Sequence, residues 1–209
     1  MIITKAEFSK SGNEVTLCIE NAESVTVSRA DYNKILLAAN AATGGFPFEL
    51  DNKHKKALEI LEQKLCCIKV CTAALAYGDK SEKALRKKLD GKGFCKKAQD
   101  LALGVLKKDG CVDDFSQCKS LALRYYNEKH FGIRRIKQEL FKKGYDKAAI
   151  ENAVSDCDFD VSKAAYELFC VISKKYSLKD ASQRQKLVNS MVRYGHDYEV
   201  ITGIINTNT

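Results

Sequence analysis

Three stretches of this chain are versions of one another at a fixed spacing: ALRKKLDGKGF from residue 84, RIKQELFKKGY from 135 and KLVNSMVRYGH from 186. Leu85, Leu89 and Gly93 become Ile136, Leu140 and Gly144, then Leu187, Met191 and Gly195, each step being 51 residues. Two apolar residues four apart share one helical face, and a glycine four further on is the residue best able to end the helix in the left-handed region. This repeat constrains the fold more than any other feature. One such unit cannot bury its apolar face alone, so successive units must stack into a quasi-one-dimensional array with an extended surface.

The intervening segments complete the unit. Ser81 caps EKALRKKLDGK, and KKAQDLALGVLKK follows with Leu101, Val105 and Leu106 expected inward, ending at Asp109 and Gly110. Asp113 and Asp114 open DDFSQCKSLALRYYNEKH, with Phe115, Cys118, Leu121 and Tyr125 expected inward. GIRRIKQELFKKG puts Ile133, Ile136 and Leu140 on one stripe, and DKAAIENAVS carries Ile150 and Val154. VSKAAYELFCVISKKY, KDASQRQKLVNSMVRYG and YEVITGIIN give the last three helices. Ahead of them all, KALEILEQKLCCIKVCTAALAY keeps a helical period through Leu58, Leu61, Leu65, Ile68 and Leu75 until Gly78. The expected fold is mainly α: three tandem three-helix repeats in an elongated array.

The first 30 residues obey a different period. IITKAEF, EVTLCIE and SVTVS alternate and are rich in β-branched residues, with SKSGN as a turn, which predicts a small antiparallel sheet. Ser28, with Asp31 three residues on, opens the helix RADYNKILLAAN, and the glycines and single proline of ATGGFPFEL break it. The expected domains are a β/α module at 1–52 and repeats at 53–110, 111–157 and 158–209.

Several function classes drop out. The opening MIITKAEFSKSG has no signal-like apolar run and no window approaches a membrane span, so neither signal-directed export nor a membrane is expected. Nine cysteines without a Cys-x-x-Cys pair, and three histidines at no zinc spacing, predict a reducing cytoplasm and no metal site. No GxxxxGK[ST], GxGxxG after a strand, HExxH or GxSxG occurs, so no cofactor and no catalytic residue is expected. The adjacent Asp113 and Asp114 read as helix-opening residues favoured by the N-terminal dipole.

Charge is where the sequence is informative. Residues 79–109 hold 10 Lys/Arg against 5 Asp/Glu and 119–148 hold 9 against 3, whereas the two ends are slightly acidic. In the second helix of the first trio, Arg86, Lys87, Lys88 and Lys92 surround the leucines; in the next trio Arg134, Arg135, Lys137, Lys142 and Lys143 do so, with Glu139 the one acid on that helix. Like charges one turn apart repel by a few tenths of a kcal/mol per pair. Helices that keep them are expected to meet anions elsewhere, and arginine forks suit carboxylate or phosphate. These nine residues are the candidate partner-binding surface, although a merely solvated face accounts for the charge equally well.

SEKALRKKLDGKGF, GCVDDFSQCKSLALRYY and GIRRIKQELFKKGY, with the tandem trios and the β-containing start, resemble the RecX family, the regulatory proteins of the bacterial recombinase RecA. The likeness is strongest across residues 80–146, and Cys111 departs from it where an aromatic residue is usual. The resemblance implies a non-enzymatic, cytoplasmic, monomeric regulator in DNA repair, recombination and the SOS response. Such a protein binds the RecA nucleoprotein filament and mainly inhibits recombinase and ATPase activity; the matched motif supports Arg135 most directly, since it precedes Ile136. The residues leave two alternatives open: an autonomous nucleic-acid-binding helical-repeat protein, and a scaffold for an unrelated acidic protein.

Overall fold

Alternation at the start of the chain becomes a sheet. In the computed structural model, which describes residues 1–38 and 45–208, β1 (Ile2–Phe8), β2 (Glu14–Ile19), β3 (Val25–Ser28) and the short β4 (Phe48–Glu49) are antiparallel in the order β3-β2-β1-β4. Phe8 pairs with Val15 and Val15 with Val27, and an irregularity between Ile3 and Lys5 shifts the register. Ile3, Val15, Leu17 and Val27 are buried in one cluster with Tyr32 and Ile35 of α1 (Arg29–Ala38), Leu50, and Leu58 of α2 (Asn52–Leu75). The Ser28 hydroxyl accepts the Asp31 N–H at 3.2 Å, the expected cap. Ala39 and Asn40 of the expected helix, and residues 42–44 of its breaker, lie outside the described residues.

Two compact units divide the chain, Met1–Lys80 with Leu85–Val112, and Ser81–Ala84 with Asp113–Thr209. In the first, α2 also supplies Cys67, Cys71 and Ala74 to a second cluster, with Leu85 and Leu89 of α3 (Glu82–Asp90) and Ala98, Ala102, Leu103 and Leu106 of α4 (Lys96–Lys108). Two leucines expected inward from the sequence are not in the core. Leu101 is exposed, because small Ala98 and Ala102 form the inner stripe of α4, and Leu65 belongs to no buried cluster. Lys64 takes an inward position instead. Its ammonium sits 2.8 Å from the buried Asp31 carboxylate, to which Ser28 also donates. Breaking such a pair from one side costs about 3–5 kcal/mol.

In the second unit, α5 (Asp114–Lys129), α6 (Ile133–Lys142) and α7 (Lys147–Ser155) enclose Cys118, Ala122, Ile136, Leu140, Tyr145, Ile150, Ala153 and Val154. Phe115 is exposed, since Cys118 and Ala122 hold the inner face of α5. The final trio is α8 (Val161–Ile172), α9 (Ala181–Arg193) and α10 (Tyr198–Thr207), packed around Leu168, Leu187, Met191 and Ile201. Asp113, Asp146, Asp160 and Asp180 each accept a backbone N–H at a helix start. Gly93, Gly144 and Gly195 have φ of +78°, +89° and +92°, the left-handed stops that the repeat predicts. The fold is mainly α, in tandem three-helix repeats behind a small β/α module.

Candidate interaction surface

The nine candidate cations separate into two groups once their partners are seen. Arg86 Nη1 lies 2.6 Å from Asp100 on α4, and Lys137 Nζ lies 2.5 Å from Glu151 on α7. Moving 51 residues turns Arg86 into Lys137 and Asp100 into Glu151, so this is one ion pair written twice, joining the second and third helices of a trio. Arg135 and Lys142 both reach Glu139, at 2.9 and 3.0 Å. The repulsion inferred from single helices is therefore offset at four positions, two of them by acids on a neighbouring helix. Lys87, Lys88, Lys92, Arg134 and Lys143 are exposed and make no ion pair among the described residues. Lys87, Lys88 and Lys92 belong to the first compact unit, Arg134 and Lys143 to the second.

Around α6 the geometry is tight. The Gly132 N–H donates to the Tyr194 carbonyl at 2.9 Å, and His196 Nε2 lies 2.8 Å from the His130 carbonyl. A Cβ on Gly132 would fall 2.1 Å from the Gly195 carbonyl oxygen, and one on Gly195 would fall 2.5 Å from the Arg135 Cβ. Gly195 is thus more than a helix stop: it lets two backbones meet. Arg135 is held by this contact, lies over the Phe131 ring at 5.6 Å, and keeps a buried Nε with no hydrogen-bond partner. The Phe131 and Tyr194 rings in turn meet in a T-shaped arrangement with centroids 5.7 Å apart. Burial pushes the His196 imidazole below its ordinary value, so the uncharged ring is favoured.

Burial raises the Cys118 thiol to about 12 and that of Cys67 to about 11, and a thiol held protonated is inert. Among the described residues no three His, Cys, Asp or Glu side chains gather as a metal site, and no helix is long and apolar enough to cross a membrane. Asp113 and Asp114 act as caps, with a division of labour: Asp113 serves its own helix, while Asp114 accepts the Glu82 N–H at the start of α3 at 2.9 Å.

No protein-family model matches the chain. It is 24% identical over 212 residues to the regulatory protein RecX of Clostridioides difficile (strain 630), across 98% of this chain and 94% of that one. It is 30% identical over 155 residues to the regulatory protein RecX of Oceanobacillus iheyensis, across 71% of this chain and 56% of the relative. A crystal structure of a regulatory protein RecX has the same fold, with a TM-score of 0.73 at 19% identity over 98% of both chains. These likenesses support the RecX family for this chain. In this chain, Ser190, Arg193 and Tyr194 stand beside Arg134 and Arg135 without having been singled out from sequence. A signal was there, because Arg193 is Lys142 moved on by 51 residues, but the last trio is slightly acidic overall and drew no attention.

Proposed function

We propose that this RecX protein is a non-enzymatic, cytoplasmic regulator that binds RecA–DNA filaments as a monomer and mainly inhibits their recombinase and ATPase activity, in DNA repair, recombination and the SOS response. The reading is carried by the near full-length likeness to a regulatory protein RecX. The unpaired cations support it, since they meet the exposed acids and phosphates of a nucleoprotein surface without first breaking an internal ion pair. Lys87, Lys88, Lys92, Arg134 and Lys143 therefore contact the filament directly, while Arg86, Arg135, Lys137 and Lys142 belong to the same surface and also shape the helices that present it.

The test uses the full chain in two double reversals, Lys87→Glu with Lys88→Glu, and Arg134→Glu with Lys143→Glu. All four side chains are exposed, so thermal unfolding stays as in the wild type. Inhibition of RecA ATPase on single-stranded DNA is expected to require about tenfold more protein for each. Both variants inhibiting at wild-type concentrations would sink this surface.

A further inference from the structure

Arginines from two trios converge on a pair of adjoining hollows in the second unit. One, of about 400 Å³, is walled by Phe131, Arg135, Ser190, Arg193 and Tyr194. The other, of about 270 Å³, has Arg134, Arg135 and Arg193 in its wall. Among the described residues no carboxylate lines either hollow, and Glu139 is shared between Arg135 and Lys142. Arg134 and Arg193 make no ion pair and the Ser190 hydroxyl makes no hydrogen bond among the described residues; the Arg193 Nε reaches only the Asn189 carbonyl, at 3.3 Å. The Arg135 Nε is buried without a partner. Cationic donors crowd this place, and among the described residues only neutral groups such as Gln138, Ser190 and Tyr194 stand beside them.

The arrangement is also built rather than incidental. Gly132 and Gly195 lock the two trios through the hydrogen bond to the Tyr194 carbonyl, the Arg135 backbone lies against Gly195, and Glu139 and the Phe131 ring hold the guanidinium, so it is pre-positioned. A carboxylate offers two oxygens in one plane, which a single arginine fork already satisfies. Three guanidinium groups and a hydroxyl ask for more acceptors, arranged in three dimensions, and for more than one negative charge. A phosphate group has both.

We propose that these hollows bind a phosphate group of a nucleic-acid strand, with Arg193 and Arg134 closing on its oxygens, Arg135 completing the cradle and Ser190 donating from the side. This deepens the filament reading, on which it rests for the presence of a strand, by naming what α6 and α9 meet there. The source is either an internal phosphodiester or a terminal phosphate.

The assay uses the full chain without RecA, so filament inhibition and occupancy of the hollows succeed or fail separately. The probes are a labelled oligo-dT with and without a 5′ phosphate, inorganic phosphate as competitor, and an oligoglutamate peptide. Arg193→Gln is expected to weaken strand binding about tenfold and to reduce the slope of log affinity against log salt by about one. Ser190→Ala is expected to weaken it two- to fivefold, roughly one lost hydrogen bond, and Lys129→Gln, an exposed cation that lines neither hollow, less than twofold. Tighter binding of the 5′-phosphorylated strand, with competition by inorganic phosphate, assigns the terminal group; equal binding assigns the internal diester. The proposal is overturned if the wild type does not bind the strand, if Arg193→Gln binds like wild type, if Lys129→Gln loses as much, or if oligoglutamate alone shows the Arg193 dependence.

Discussion

The start of α3 and the start of α6 are the same place in the repeat, and the second unit contains both. At the first, the Ser81 hydroxyl accepts the Ala84 N–H at 3.3 Å and donates to the Lys143 carbonyl at 3.1 Å, so a side chain serves as cap and spacer together. At the second, Gly132 stands where Ser81 stood, and its own N–H donates to the Tyr194 carbonyl at 2.9 Å. Residues 51 apart thus solve one problem twice, once through a hydroxyl and once by backbone on backbone. Removing the spacer gives up a helix cap and gains proximity. It also brings Arg135, where the first place has Ala84, against Gly195 and opens a wall of arginines.

That contrast can be broken with single methyl groups. Gly132→Ala carries no backbone strain, since φ is −69°, yet its Cβ meets the Gly195 carbonyl oxygen at 2.1 Å, so a loss of about 3 kcal/mol or more is expected in chemical denaturation. Gly144→Ala combines φ of +89° with a flexible hydroxyl at 3.0 Å, for about 2 kcal/mol. Gly93→Ala has φ of +78° and open space around it, leaving about 1 kcal/mol from backbone alone. Equal losses at Gly132 and Gly93 would mean that the tight joint is not tight.

A smaller effect is expected from pH. The folded state lowers the affinity of His196 for a proton, with burial the main cause, so the unfolded chain binds the proton more readily. The stability tied to the neutral ring is complete above the ordinary value of 6.5 and declines as pH falls below it towards the lowered folded value. The denaturation midpoint of wild type should therefore drop more steeply between pH 7 and 5.5 than that of His196→Asn, which is less stable at pH 7 for want of the bond to the His130 carbonyl. Parallel slopes in the two proteins would show that His196 does not titrate with unfolding.

The same comparison explains what was legible in the sequence. Leu85, Leu89, Ile136, Leu140, Leu187 and Met191 are all fully buried, because a large apolar pair at helical spacing leaves few choices. Leu65, Leu101 and Phe115 misled for the opposite reason: where Ala98, Ala102, Ala122, Cys67 and Cys118 make the inner stripe, size is a poor guide to facing. Partners distant along the chain were invisible. Lys64 meets Asp31 across 33 residues, and Arg86 and Lys137 meet acids 14 residues on in another helix, so runs that looked repulsive are half neutralised. Gly195 was visible as a stop but not as a contact, since nothing local marks what lies opposite.

The most direct measurement is a parallel titration of the wild-type chain into RecA–single-stranded DNA filaments, followed by ATPase rate, and into the same strand alone, followed by binding, at two salt concentrations. Docking onto the composite surface of protein and DNA predicts inhibition at concentrations at least about tenfold below those that bind the bare strand, at both salts. The same affinity for the strand with and without RecA, both falling steeply and in parallel with salt, would contradict it.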